Sequence, residues 1–133
     1  MVNDKGKTVL VVDDNDDVRR LVKKVLEMSG FNVNEAVDGE GALRSIGDQM
    51  PDLILMDIRL PGKLSGLDAT CRIKEDSRMQ RVPVVALTAS VLERDRQQAL
   101  AAGCNGFIAK PLDISALPKM VETFIDRGAI APR

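Results

Sequence analysis

The sequence predicts an α/β domain in which five parallel strands form one sheet with helices on both faces. Three observations predict it. Five short runs rich in Val, Ile, Leu and Ala (8–12, 31–37, 53–57, 82–88 and 106–111) read as strands. Five segments with apolar residues at helical spacing alternate with them, and right-handed crossovers through such segments make neighbouring strands parallel. In 133 residues no second hydrophobic block is left over, so one domain with a full core accounts for the chain.

Thr8-Val-Leu-Val-Val12 is almost wholly apolar, as a strand covered on both faces must be, and it ends in Asp13-Asp14. Asn15-Asp16-Asp17 opens a helix, whose N-terminal N–H groups and dipole favour acids. Val18, Leu21, Val22, Val25 and Leu26 form its apolar stripe, and Gly30 stops it. Phe31–Val37 alternates like a half-exposed edge strand. Asp38-Gly39 turns the chain into a short helix carrying Ala42, Leu43 and Ile46, which ends at Met50-Pro51.

The run Leu53-Ile-Leu-Met-Asp57 is central: an apolar strand that stops at a carboxylate. Such a strand end lies at the rim of the sheet, where open α/β folds place their chemistry. Taken alone, an Asp here more often starts a turn or caps a helix than serves a site, since turn acids are the commoner kind. The loop 58–66, with Pro61, Gly62 and Gly66, is long enough to expect a function of it. A helix with Leu67, Thr70, Cys71 and Ile73 follows. In the strand Val82–Thr88, Pro83 is admissible only at the start. The helix 91–102 is polar through Arg94–Gln98, consistent with either a solvated face or a docking face, and Gly103 ends it. Gly106–Pro111 is the fifth strand, and the last helix, 115–126, carries Leu117, Val121, Phe124 and Ile125 with Pro118 in its first turn.

Composition excludes several functions. Net charge is −1 with both signs interspersed, so nothing marks a nucleic-acid or membrane surface. No apolar run is long enough to span a bilayer, and the N-terminus lacks a signal-peptide core. The chain has no His, which excludes Ser-His and Cys-His catalysis and His-ligated metals. With no Tyr or Trp and three Phe, it lacks stacking surfaces for single-stranded nucleic acid or a flavin. Cys71 and Cys104 form no CxxC pair and are expected to be reduced core thiols of a cytoplasmic protein.

In a parallel sheet all strand C-termini share one edge. That edge collects Asp13, Asp14, Asp57, Thr88 and Lys110 from four different strands, all able to act on one small anion. Three close carboxylates raise one another's pKa, so the cluster calls for cations. Lys110 supplies one positive charge, and a hard divalent ion with oxygen ligands, Mg²⁺ first, suits the rest. Those charges would keep Asp57 ionised as a nucleophile, and the Thr88 hydroxyl is placed to donate to a phosphoryl oxygen.

With these residues in view, the chain resembles the receiver domains of two-component response regulators over residues 8 to about 126. Val11-Val12-Asp13-Asp14, Leu55-Met56-Asp57 with Pro61, Ala86-Leu87-Thr88-Ala89 and Phe107-Ile-Ala-Lys110-Pro111 match its four signature blocks in order. The resemblance implies a flavodoxin-like (βα)₅ fold with strand order 2-1-3-4-5. It implies Asp57 as phosphoacceptor, supplied by a histidine kinase or a histidine phosphotransfer protein. It further implies Mg²⁺ held by Asp13, Asp14, Asp57 and the backbone carbonyl of Arg59, with Asp13 acting through water. Lys110 would pair with the phosphoryl group, with its bond to Pro111 often cis. Thr88 and Phe107 would be the switch residues, and a downstream protein would dock on the 91–126 face.

Three features depart from the family pattern. The loop Pro61-Gly-Lys-Leu-Ser-Gly66 is one residue longer than usual; Arg59 and Ser90 stand where the family tunes dephosphorylation; and Phe107 lacks the hydroxyl of the common Tyr. The expected organisation is an extension over 1–7, a receiver over 8–127 and a flexible tail over 128–133. The module is expected to signal rather than to turn over substrates, its only chemistry being self-catalysed phosphotransfer and autodephosphorylation. It is expected to act as a monomer or weak phosphorylation-dependent dimer, alone or as a receiver cut from a hybrid histidine kinase. A Mg²⁺-dependent phosphatase of haloacid dehalogenase type is the alternative from another class, but it needs an acid where Arg59 stands. A flavodoxin-like small-molecule binder lacks both its Gly-rich phosphate loop and its aromatics.

Overall fold

Parallel pairing of five strands fixes the architecture. The computed structural model describes residues 6–90 and 92–127; residues 1–5, the expected tail 128–133 and Val91, the first residue of the predicted fourth helix, lie outside them. In chain order the elements are β1 (Thr8–Val12), α1 (Asp16–Met28), β2 (Asn32–Ala36), α2 (Gly39–Asp48), β3 (Leu53–Asp57), α3 (Gly66–Glu75), β4 (Val84–Thr88), α4 (Glu93–Ala102), β5 (Gly106–Ala109) and α5 (Leu117–Arg127). The sheet order is β2-β1-β3-β4-β5, as the receiver-domain resemblance implies, and every neighbouring pair is parallel, as the alternation of strands and helices predicts.

Alternation along the strands builds two core layers. Leu10, Val12, Ile54, Met56 and Ala86 face Ala42 of α2, Ala69 and Ile73 of α3, and Ala99 of α4. Val9, Val11, Leu55, Val85 and Leu87 face Val22 and Leu26 of α1, and Leu117 and Val121 of α5. All five residues of β1, β3 and β4 are buried, which explains their unbroken apolar runs, whereas β2 at the sheet edge buries only Val33 and Ala36 and so breaks the alternation expected of it.

Several boundaries and faces differ from expectation. β4 starts after Pro83, which has no N–H for the ladder, and β5 stops at Ala109, leaving Lys110 one residue beyond. The predicted helix over 115–126 begins at Leu117. Leu21 is 46% exposed: it lies about 100° around α1 from Val22, which takes the core position with Leu26. Cys71 is exposed, contrary to the expectation of two core thiols, because Ala69, Thr70 and Ile73 form the buried stripe of α3. Cys104 is buried, and burial pushes its thiol up to about 11, which makes it a weak nucleophile.

Two local devices aim the strand ends. Asn15 caps α1, accepting from the Val18 N–H at 3.0 Å, so the chain leaves β1 at a fixed angle. Ser65 and Asp68 form a capping box that starts α3 at Gly66. There a Cβ would overlap the Asp57 carbonyl oxygen, so glycine lets α3 close directly onto the end of β3.

Candidate functional site

Register brings the acids together. Val12 of β1 pairs with Met56 of β3, so the next residues along, Asp13 and Asp57, lie side by side on adjacent strands. On the other side of β3, Asp57 pairs with Leu87, one residue before Thr88, and Thr88 pairs with Ala109, one residue before Lys110. All four strand-end groups therefore emerge at one edge of the sheet, as the parallel topology predicts.

The Lys110 ammonium joins two of these acids. Its Nζ donates to Asp13 Oδ2 at 2.8 Å and to Asp57 Oδ2 at 3.2 Å. The remaining oxygens are occupied from the backbone: the Asn15 N–H donates to Asp13 Oδ1 at 2.9 Å, and the Arg59 N–H to Asp57 Oδ1 at 2.9 Å. Asp13 is fully buried and Asp57 is 6% exposed, while Asp14 is exposed. The Lys110–Pro111 peptide bond is cis.

Electrostatics follow from this burial. Desolvation pushes the Asp57 carboxyl above its ordinary range; the Arg59 N–H and the Lys110 charge oppose that rise, and the nearby Asp13 charge adds to it. Burial also works against the Lys110 ammonium. Its hydrogen bonds and charge interactions with Asp13 and Asp57 outweigh the penalty and hold its pKa above the usual lysine value.

A divalent cation fits the donor set. One carboxylate oxygen each from Asp13, Asp14 and Asp57 lies within 4.8 Å of the others, giving an all-oxygen cluster of three negative charges beside one ammonium. Hard ions such as Mg²⁺ favour such ligands, and no sulfur or imidazole belongs to this cluster to select a softer one.

The other predicted residues meet the site differently. Thr88 is 8% exposed, and its Oγ1 accepts from the Ser90 N–H at 3.0 Å. Ser90 in turn donates its hydroxyl to Asp95 and accepts from the Leu92 N–H at 3.2 Å, which ties the β4–α4 loop to the first turn of α4. Phe107 lies on β5, partly buried, with the Arg96 guanidinium 5.4 Å from its ring centroid. Arg59 reaches the acids through its N–H, while its side chain is exposed, so no acid stands there to serve a phosphatase. Asp16 and Asp17 pair with Arg19 and Arg20 along α1 and take no part in the acidic cluster.

Sequence reasoning passed over Arg19, Asp95 and Arg96. The last two sit in the polar run 94–98, where charge pattern alone does not separate a solvated side chain from one holding a neighbour. Arg19 did carry a signal: a cation three residues after Asp16 and close to the acidic strand end.

Comparison with known proteins agrees with this geometry. Residues 9–122 match the response regulator receiver domain. The chain is 36% identical over 117 residues to the polar-differentiation response regulator DivK of Brucella anthropi, covering 88% of this chain and 92% of that one. Among solved structures it is similar to the receiver domain of the sensor histidine kinase PA1611 from Pseudomonas aeruginosa, which holds a magnesium ion in its active-site cleft. That match has a TM-score of 0.82 and 38% identity, and covers 91% of this chain and 98% of that one. The chemotaxis protein CheY4 of Vibrio cholerae matches with a TM-score of 0.84 and 27% identity over 89% of this chain and 98% of that one. The chain thus belongs to the response regulator receiver domain family, the phosphorylation-dependent switches of two-component signalling.

Proposed function

We propose that Asp57 is the phosphoacceptor, taking its phosphoryl group from a histidine on a partner kinase or phosphotransfer protein. One observation carries this: Lys110 bridges Asp13 and Asp57, with Asp14 alongside, at the C-terminal edge of the sheet. In the transfer, a carboxylate oxygen of Asp57 forms a bond to phosphorus while the phosphorus–nitrogen bond of the phosphohistidine breaks. The departing imidazole nitrogen keeps the electron pair and takes up a proton. The Asp57 carboxylate must be ionised to attack, and Lys110 is the protein's own cation for that purpose.

Asp13, Asp14, Asp57 and the Arg59 carbonyl would hold Mg²⁺. Bound there, Mg²⁺ supplies positive charge that offsets the carboxylates and the charge developing on the phosphoryl oxygens. Lys110 then serves the phosphoryl group, and the Thr88 hydroxyl donates to one of its oxygens. Phe107 follows Thr88 through packing alone, since it has no hydroxyl to hydrogen-bond.

The output goes to a downstream protein through the 91–126 face. A groove of about 500 Å³ there, lined by Thr88, Arg96, Phe107, Phe124 and Arg127, supports this assignment. The chain works as a single receiver over 8–127 in the cytoplasm, as a monomer or weak phosphorylation-dependent dimer. No helix among the described residues is long and apolar enough to cross a membrane.

Intact mass after incubation with acetyl phosphate, with and without Mg²⁺, tests the assignment on wild type and Asp57→Asn. The expected result is one Mg²⁺-dependent, acid-stable and base-labile phosphoryl adduct that the variant loses. An adduct that persists in Asp57→Asn would move the acceptor elsewhere.

A further inference from the structure

Behind the acidic end of β1 lies a charged cluster in which an arginine is largely removed from water. The Arg19 side chain is 11% exposed, although arginines near helix ends usually keep their heads in solvent. Its Nη1 donates to the main-chain carbonyl of Asp13 at 2.7 Å, its Nε to Glu35 on β2 at 3.2 Å, and its Nη2 to Asp16 at 2.5 Å. Lys23 reaches the second oxygen of Glu35 at 3.5 Å.

The carbonyl that Arg19 holds belongs to the peptide unit joining Asp13 to Asp14. That unit is planar, so fixing its oxygen also fixes the N–H and Cα of Asp14. Asp13 is held by other means as well, through Asn15, Lys110 and its own N–H donating to the Ala36 carbonyl at 3.1 Å. Asp14 is exposed, and its placement depends on this backbone. An uncompensated guanidinium here would repel a cation. Arg19 and Lys23 face Asp16 and Glu35, two positive charges against two negative, so the cluster positions the backbone without adding a net charge.

We propose that Arg19 is a positioning residue for the cation site, setting the direction of Asp14 through the Asp13–Asp14 peptide; this rests on the assignment of Asp13, Asp14 and Asp57 as cation ligands. Arginine suits the task because its planar fork reaches three separate acceptors at once, which a lysine ammonium on a flexible stem cannot reproduce.

Isothermal titration calorimetry of Mg²⁺ into unphosphorylated wild type, Arg19→Ala, Arg19→Lys and Asp14→Asn tests it. Outer-shell partners of metal sites are typically worth about 10–100-fold in affinity, and a backbone-level effect belongs at the lower end. Arg19→Ala is expected to weaken the Mg²⁺ Kd about tenfold and Arg19→Lys by less, with Asp57 labelling recovering at saturating Mg²⁺. A folded Arg19→Ala with a wild-type Kd overturns the proposal, as does a lowered Tm with unchanged Kd, which marks a purely structural arginine. If Arg19→Ala does not fold, Arg19→Lys decides in the same way. Wild type and Asp14→Asn that both fail to bind Mg²⁺ remove the cation assignment itself, and this proposal with it.

Discussion

Adding one methyl group at residue 66 tests the packing that carries Asp57. A Cβ there would overlap the Asp57 carbonyl oxygen and lie 2.6 Å from the Ile58 Cα. Both are backbone atoms, so no side-chain rotation relieves the overlap, and α3 or the end of β3 must shift. Overpacking of this kind costs about 1–3 kcal/mol, sometimes more, against at most ~1 kcal/mol gained from alanine's helix propensity. Overlap with two backbone atoms belongs at the upper end of that range, about 3 kcal/mol, so a net loss of about 2 kcal/mol is expected. Gly47 provides the control: it too lies in a helix, α2, and a Cβ added to it would meet nothing within 4 Å. Gly47→Ala is therefore expected to gain about 0.5–1 kcal/mol.

Unfolding entropy near 2.1 cal/mol/K per residue converts these energies for a chain of 133 residues into about 3.6 °C per kcal/mol. Gly66→Ala should lower Tm by about 7 °C and Gly47→Ala raise it by about 2–4 °C, measured by calorimetry and checked by urea unfolding. Because the shift falls on the Asp57 carbonyl, Gly66→Ala should also slow acetyl phosphate labelling, while Gly47→Ala should leave it unchanged. A Gly66→Ala variant as stable as wild type would refute the close approach of α3 to β3.

Three further outcomes are expected. Without divalent cations, Asp57→Asn should raise Tm at neutral pH. Burial raises the native carboxyl pKa above its unfolded value, so native stability is lost as pH rises through that pKa; the advantage of the variant should shrink on acidification toward the ordinary carboxylate range, as a pH series of melts would reveal. Mg²⁺ at about ten times its Kd should stabilise wild type by about 1.4 kcal/mol, and no Tm response over a titration would contradict the three-carboxylate site. Ser90→Ala removes both the Asp95 contact and the acceptor for the Leu92 N–H, and should cost about 1 kcal/mol with faster hydrogen exchange in the first turn of α4.

The fold was legible because the unbroken apolar runs of β1, β3 and β4 have one physical cause, burial on both faces, and that cause requires parallel crossovers. The acids were legible for a related reason: a carboxylate that ends such a run has to emerge at the shared edge. Helix faces were harder to read. Leu21 and Cys71 are apolar yet exposed, since about 100° of rotation separates each from a neighbour that packs equally well. The spacing of Arg19 from Asp16 was a signal of pairing, but its hold on the Asp13 carbonyl and the contact of Arg96 with the Phe107 ring depend on groups brought close only by folding.

The placement of cations around this edge has an electrostatic logic. Asp13, Asp14 and Asp57 against Lys110 leave a net charge of −2, which one divalent ion cancels. A second free cation in front of the acids would compete with that ion, and Arg19 stands behind them instead, paired with Asp16 and Glu35. In the proposed transfer, Asp57 gives up its own charge on becoming an acyl phosphate, and the phosphoryl oxygens bring close to two negative charges at neutral pH. The neutralised site thus becomes anionic again, by about one charge, and in the proposed switch the Thr88 hydroxyl would be drawn toward it. Ser90 uses the Thr88 oxygen only as an acceptor and so leaves the Thr88 proton free to answer that charge. If Thr88 moves, it gives up the Ser90 N–H, which loosens the tie between the β4–α4 loop and Asp95. In the proposed switch, the chemistry at Asp57 would therefore reach α4 through the hydrogen bonds of Ser90 with Thr88 and Asp95.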